Sequence, residues 1–354
     1  MDAGIQQHSN HAVLQGAVAL VGNPNTGKTT LFNALTGLAQ RVGNFPGVTV
    51  ERKSGRMVLD GGEGRDLIDL PGAYSLAAQS PDEEIAVGVL LGILADEAPI
   101  QVVLAVLDAS NLKRNLYLVS QVLDLGLPLV VALNMSDVAR TRDIHIDASA
   151  LSNRLGVPVV PIQANRRIGL DALKAALVDV LAAPKRESDL SLLPDTWRNQ
   201  VRVAAARLDG VSPGMLVRAL ADRENALTAR LIGHFGAAFG QELAILKSQL
   251  AVNEDFVDRE VELRYAWVDR VLDGVLSDPE PLRVTRSDKI DRIVAHRMWG
   301  SLIFALVMGV VFQSIFSWSG PLMDVIDSVF GSLGGWVSAQ MPEGALHSLV
   351  VDGV

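Results

Sequence analysis

The 354-residue sequence contains no cysteine. Disulfides, thiolate metal sites and cysteine-ligated iron–sulfur clusters are therefore excluded within it. It also lacks an excess of positive charge: 31 Lys and Arg stand against 40 Asp and Glu, a net charge of −9. Bulk electrostatics thus do not favour a nucleic-acid partner. Residues 1–15 lack the basic stretch and apolar core of a signal peptide. Residues 1–13 read as a polar tail in which His8 and His11 are tail residues, and the domain that follows is expected in the cytoplasm. One further scarcity is local. Between Met298 and Met323 there is no ionisable side chain.

What is present starts with Gly22-Asn23-Pro24-Asn25-Thr26-Gly27-Lys28-Thr29, directly after the apolar run Ala17–Val21. A strand here delivers a glycine-bearing turn, and a helix begins at about Lys28. Backbone N–H groups of such a turn cradle phosphate oxygens, the lysine reaches the terminal phosphates, and the Thr29 hydroxyl holds Mg²⁺. The positive end of the following helix, carrying Thr30, adds to the attraction. A nucleoside triphosphate is the implied ligand.

Apolar runs at Ala17–Val21, Asp66–Asp69, Gln101–Leu107, Leu127–Leu133 and Val157–Ile162 alternate with helical patterns up to about Ala183. The alternation predicts an α/β domain with a mostly parallel sheet over 14–185. Arg52–Leu59 is expected as an antiparallel edge strand. Residues 186–275 carry helical patterns and no convincing strand, so an all-α domain is expected, with Ser212-Pro213 opening one of its helices. Residues 276–288 read as a linker, and Thr285–Asp288 resembles a capping box. Residues 289–320 read as a lead-in and a membrane helix, since about 20 apolar residues span a bilayer core of about 30 Å. Lys289, Arg292 and Arg297 precede that helix and no Lys or Arg follows it, which puts the preceding domain on the cytoplasmic side. Beyond Pro321, apolar residues recur at helical spacing with Asp324, Asp327, Ser328 and Ser332 opposite. Residues 321–354 are therefore expected as an amphipathic segment at the outer membrane surface, ending in an apolar stretch that reads as truncated.

A phosphate loop alone leaves ATPase, kinase and GTPase open. Four later features choose between them. Thr49 lies in the loop Val42–Thr49, with Gly47 and Val48 beside it, and can complete a Mg²⁺ shell when a γ-phosphate is bound. Asp69-Leu70-Pro71-Gly72 ends a strand; the aspartate would hold Mg²⁺ through water, and the glycine N–H would meet the γ-phosphate. Asn134-Met135-Ser136-Asp137 ends another strand, and Asp137 can accept from both N1–H and the 2-amino group of guanine. Adenine would leave that carboxylate unpaired. Gln163-Ala164-Asn165 follows the last strand, where a backbone N–H can meet the guanine carbonyl. All these features fall at the carboxyl ends of predicted strands, the edge at which such sheets bind ligands. GTP and GDP are the expected ligands.

The segments Gly22–Gly37, Gly43–Glu51, Asp69–Leu76, Asn134–Asp137, Arg264-Tyr265 and Asp288–Arg297 resemble the FeoB family of bacterial ferrous iron transporters. The similarity covers about residues 14–354. It implies a GTPase domain, a helical domain of the type associated with control of nucleotide dissociation, and a polytopic membrane domain in the bacterial inner membrane. It also implies Fe²⁺ as the transported ion, with small accessory Feo proteins and a second copy of the chain as candidate partners. The asparagine matching Asn25 is implicated in that family in holding K⁺ beside the phosphates, a charge that could replace an arginine finger. Lys28, Thr49, Gly72 and Asn25 are thus the expected catalytic set. Two departures bear on mechanism. Met135 stands where most small GTPases carry lysine, which predicts modest affinity and fast exchange. Ala73 stands where Ras-like enzymes carry a water-orienting glutamine, which predicts slow intrinsic hydrolysis. A regulatory GTPase merely anchored to the membrane is the rival expectation.

Overall fold

The computed structural model describes residues 16–37, 40–45, 50–59, 62, 64–77, 80–94, 98–184, 187–250, 256–277, 294 and 297–340. The polar tail, the proposed capping box at 285–288 and residues 341–354 lie outside these. The chain divides into two compact units, Met1–Pro279 and Glu280–Val354.

The first unit is built on a seven-stranded sheet. Its strands are β1 (Ala17–Val21), β2 (Gln40–Asn44), β3 (Glu51–Val58), β4 (Gly64–Asp69), β5 (Ile100–Asp108), β6 (Leu129–Asn134) and β8 (Val159–Pro161), ordered β2-β3-β4-β1-β5-β6-β8. Strands β4, β1, β5, β6 and β8 run parallel, while β2–β3 and β3–β4 are antiparallel. The central strands are apolar at nearly every position because both faces are covered, as parallel sheets require. One face carries Val18, Leu20, Leu104, Val106 and Val130 and packs on Leu31, Phe32 and Leu35 of α1 (Lys28–Thr36) and Leu173 and Leu177 of α6 (Leu170–Ala182). The other carries Ala19, Val21, Val103, Ala105 and Val131 and packs on α2 (Pro81–Leu90), α3 (Leu112–Asp124) and α5 (Ala148–Leu155).

The expected antiparallel strand at 52–59 is present as β3, but it is not the edge. Strand β2 lies outside it, with Arg41 opposite Ser54. Every residue of β2 is exposed, so the strand has no buried face to write an alternating pattern into its sequence.

Helices α7 (Asp195–Ala206), α8 (Pro213–Leu220), α9 (Ala226–Phe235), α10 (Ala237–Leu250) and α11 (Phe256–Leu272) form the helical part. Ser212 caps α8 as expected, its Oγ accepting from Met215 N at 3.3 Å with Pro213 in the first turn. These helices share one hydrophobic cluster with the sheet. Its polar centre is a buried tetrad. Arg264 of α11 donates Nε to Glu260 (2.6 Å) and Nη1 to Ser120 (2.9 Å), and pairs with Asp124 of α3. Arg218 of α8 pairs with Glu260 and sits 3.6 Å from Asp124. Burial alone would raise the Glu260 carboxyl, but Arg218 and Arg264 overcome it and hold it at about 2. Burial pushes Asp124 up, against the pull of the same two cations.

A second contact returns the chain to the sheet domain after α11. Strand β9 (Leu276–Ser277) pairs antiparallel with β7 (His145–Ile146), which follows the short helix α4 (Ser136–Thr141). The first two residues of the expected linker are therefore structured.

The second unit contains α12 (Arg297–Gln313), a π-helical stretch at Ser314–Trp318 and α13 (Ser319–Gln340). Met298–Ser317, with mean hydropathy 1.9, is long and apolar enough to cross a membrane. The segment beyond Pro321 is helical as expected, but no loop separates it from the apolar helix. Proline in the first turn of α13 cannot donate to the preceding turn, and the ladder widens there rather than breaking.

Candidate nucleotide site

The five parallel strands end on one edge, and the four predicted loops that are described meet there. The loop after β1 is shaped by two glycines. A Cβ on Gly22 would lie 2.6 Å from the Val106 carbonyl oxygen of β5. Gly27 adopts φ +86°, and any side chain there would collide with the Asn134 amide. Only glycine meets both demands. Asn25 holds a left-handed backbone with φ 65°, a conformation asparagine tolerates better than most residues. Thr26 Oγ1 donates to Asn23 O at 2.9 Å, closing the loop on itself.

Lys28 begins α1 as predicted, and its Nζ donates to Asp69 Oδ1 at 2.9 Å and to Leu70 O at 2.7 Å. The ion pair is nearly buried, with side-chain exposures of 11% and 7%. Lys28 and Asp69 were expected to face phosphate and Mg²⁺ respectively; here they also bridge β4 to the phosphate loop. The loop after β4 lies against that bridge. Leu70 N donates to Leu20 O (3.1 Å) and Ala73 N to Gly22 O (3.3 Å), which lays Gly72 beside Pro24.

Two adjoining cavities follow the loop. One, about 400 Å³, is lined by Asn23, Asn25, Lys28, Thr30, Gly72 and Asp82. The other, about 600 Å³, is lined by Lys28, Thr29, Lys53, Asp69 and Pro71 among others. Thr29 and Asp69 thus face one space with two hard oxygen donors, a set that suits Mg²⁺, which keeps several waters. Asn23 is 2% exposed, and both atoms of its side-chain amide are buried without a hydrogen-bond partner.

Asn134 is a positioning residue. Its Nδ2 donates to Thr26 O at 2.9 Å, and its Oδ1 accepts from Ala164 N at 3.1 Å. One buried amide thereby ties the phosphate loop to the loop after β8, and within Gln163-Ala164-Asn165 it is the Ala164 N–H that is engaged by the protein itself. Met135 has φ 60° and turns the chain so that Asp137 enters the first turn of α4. Asp137 is half-buried and makes no hydrogen bond or ion pair among the described residues. Gln163 and Ile168 exchange backbone hydrogen bonds at 3.0 and 3.2 Å around Ala164 and Asn165. Gly47, Val48 and Thr49 lie outside the described residues.

Sequence reasoning missed Gln121 and Asp124. Gln121 of α3 is 1% exposed, and its Oε1 accepts from Leu76 N at 2.6 Å, gripping the loop that follows Gly72. One turn on, Asp124 enters the tetrad. A glutamine and an aspartate buried on a helix otherwise rich in leucine and valine were the available signal.

A family model described as ferrous iron transport protein B matches residues 16–177. The Fe(2+) transporter FeoB of Salmonella typhimurium is 38% identical over 328 residues, covering 88% of this chain and 40% of that protein. The Fe(2+) transporter FeoB of Leptospira biflexa is 32% identical over 351 residues, covering 95% and 49%. The chain therefore spans under half the length of these relatives. The solved cytosolic domain of L. pneumophila FeoB is 35% identical with a TM-score of 0.62, covering 74% of this chain and all of that one. A point mutant of S. thermophilus NFeoB bound to GDP is 31% identical with a TM-score of 0.62, covering 74% and 99%.

Proposed function

The chain belongs to the FeoB family, and from that premise we propose that it binds and hydrolyses GTP as the cytoplasmic switch of a bacterial inner-membrane Fe²⁺ transporter. The observation that carries this is the convergence of the Gly22–Thr29, Asp69–Gly72, Asn134–Asp137 and Gln163–Asn165 loops on one sheet edge. Lys28 sits where it can exchange its contact with Asp69 for the β- and γ-phosphates. Thr29 and Asp69 would hold Mg²⁺, joined by Thr49. The metal, when bound, offsets charge that develops on the phosphates. Gly72 N–H would meet the γ-phosphate. Asp137, with no internal partner among the described residues, would take the guanine N1–H and 2-amino groups, with Met135 covering the base.

Ala73 offers no amide to orient water, so intrinsic hydrolysis is slow. Asn25, at the rim of the smaller cavity beside Gly72, would hold K⁺ there and supply the missing positive charge. Loss of the γ-phosphate would release Thr49 and Gly72. The change would reach the helical part through Leu76, Gln121 and α3 to the tetrad, and continue along α11 to β9 and the linker. Small Feo proteins and a second copy of the chain are the partners this reading anticipates. Met298–Ser317 would be the first span, with its preceding residues cytoplasmic and the helix from Pro321 at the outer surface. That span carries no acidic or histidine ligand, so the conduction residues belong to other membrane segments. The rival is an anchored regulatory GTPase without transport.

Single-turnover GTP hydrolysis in K⁺ and in Na⁺ tests the enzymatic part. Turnover in K⁺ that is lost in Lys28→Ala is expected; no turnover in either salt would refute it. GTP-dependent Fe²⁺ uptake into vesicles by the full-length transporter separates transport from the anchored rival.

A further inference from the structure

A phosphate loop binds through its backbone N–H groups, yet the second residue of this one carries a side-chain amide that is almost wholly buried. Asn23 is 2% exposed, and neither its Oδ1 nor its Nδ2 has a hydrogen-bond partner among the described residues. Buried side-chain polar atoms are paired in the large majority of cases, so an amide with both atoms unpaired needs a reason. The Asn23 backbone is held in place, because its carbonyl accepts from Thr26 Oγ1 at 2.9 Å. The residue lines the cavity of about 400 Å³ together with Asn25, Lys28 and Gly72.

The loop after β4 lies next to that amide. Ala73 N donates to Gly22 O at 3.3 Å, and Gly72 lies beside Pro24, so the loop touches the residues on either side of Asn23. It is pinned at both ends. Leu70 N donates to Leu20 O at 3.1 Å, and Leu70 O accepts from Lys28 Nζ at 2.7 Å. Further on, the Tyr74 ring faces the Arg114 guanidinium at 4.1 Å, and Leu76 N donates to Gln121 Oε1 at 2.6 Å. Between these pins the bond from Ala73 N to Gly22 O is longer than those flanking it. A short shift of residues 71–73 would bring their peptide groups to the Asn23 amide and leave both ends in place.

We propose that Asn23 is a positioning residue that senses the γ-phosphate through the loop after β4, an inference that rests on the GTPase reading. When Gly72 N–H turns to a γ-phosphate, Ala73 N–H leaves Gly22 O and is taken by Asn23 Oδ1, while Asn23 Nδ2 donates to a carbonyl of the same loop. A donor and an acceptor buried without partners carry a desolvation cost in the first arrangement that is offset in the second. The amide thus biases the loop toward the arrangement that a triphosphate selects and a diphosphate does not. Asn23 touches no reacting atom through its side chain; it acts through Gly72 and Ala73.

The test is Asn23→Leu, which keeps the size of the side chain and removes both polar groups. The complete chain in neutral detergent, with Mg²⁺ and K⁺, is titrated calorimetrically with GDP and with the non-hydrolysable triphosphate GMPPNP, and its thermal midpoint is read without nucleotide. The ratio of GMPPNP to GDP affinity should fall about ten-fold in the variant, the effect of losing a hydrogen bond made with the triphosphate alone. The midpoint without nucleotide should hold or rise, because removing a polar group that is buried unpaired also removes its desolvation cost. Asn23→Ser keeps a donor and an acceptor and should restore part of the ratio. An unchanged ratio in Asn23→Leu, or a lowered midpoint, the mark of an amide that is already paired, would overturn the proposal. A wild type that binds neither nucleotide refutes the GTPase reading and this inference together; wild-type binding with an unchanged ratio in the variant refutes this inference alone.

Discussion

Replacing Arg264 with methionine tests how the helical part is held to the sheet domain. Arg264 is wholly buried and touches Glu260, Ser120 and Asp124 at once. Removing its guanidinium takes away three charge-assisted hydrogen bonds and leaves Asp124 fully buried. Asp124 Oδ1 already has no hydrogen-bond partner, so the stranded carboxylate has little to fall back on. Breaking one side of a buried pair costs ~3–5 kcal/mol. Arg218 stays beside Glu260 and 3.6 Å from Asp124, which places the expected loss near the lower end, ~3 kcal/mol. That is a large fraction of the ~5–15 kcal/mol by which domains are stable. The assay is urea denaturation of the purified chain in neutral detergent, followed by circular dichroism. The companion variant Arg264→Met/Asp124→Asn removes the stranded charge and leaves the Arg218–Glu260 pair neutral. It should recover at least half of the loss, because the two changes share partners and are not additive. A single-variant cost under ~1 kcal/mol, or a double variant as costly as the two single changes summed, would refute a tightly coupled tetrad.

Three further outcomes follow from the same contacts. Gly22→Ala places a methyl 2.6 Å from the Val106 carbonyl; a loss of ~1–3 kcal/mol is expected, together with loss of the thermal shift that GDP gives the wild type. Gln121→Leu leaves Leu76 N–H without its acceptor, so amide exchange at Leu76 should accelerate by about ten-fold while α3 retains its protection. Burial, reinforced by Glu260, pushes the Tyr117 phenol up to about 12 from its ordinary 10.0. Its contribution to stability is therefore fully present below pH 10 and is lost as pH rises through about 12. Tyrosinate absorbance should show one group titrating there that Tyr117→Phe removes; identical titrations would contradict the shift.

Much of the nucleotide edge was legible in the sequence because each loop there follows a strand buried on both faces. Runs such as Ala17–Val21 and Leu129–Asn134 are apolar almost throughout, and the loops carry residue types that phosphate and guanine chemistry demands. Strand β2 was not legible, since Gln40–Asn44 is exposed at every position and takes its strand form from β3 alone. The β7–β9 pair was hidden for another reason: two residues at 145–146 meet two at 276–277, too short a match for any periodic signal. The tetrad illustrates a third limit. Arg218, Glu260 and Arg264 have the spacing of ordinary solvated helix charges, and only the packing of α3, α8 and α11 shows that they are buried. Asn134 was read as a nucleotide contact from its motif, yet its amide holds two loops together, a role that depends on Thr26 and Ala164 being within reach.

The account rests on Asp137 making the site selective for guanine. Equilibrium binding of GDP and ADP to the wild-type chain and to Asp137→Ala, in Mg²⁺ and K⁺, tests that directly. The wild type should prefer GDP by at least about a hundred-fold, as expected when one ligand leaves a half-buried carboxylate unpaired, and the variant should lose most of that preference while Lys28 still binds the phosphates. An unchanged preference for GDP over ADP in Asp137→Ala would contradict the account.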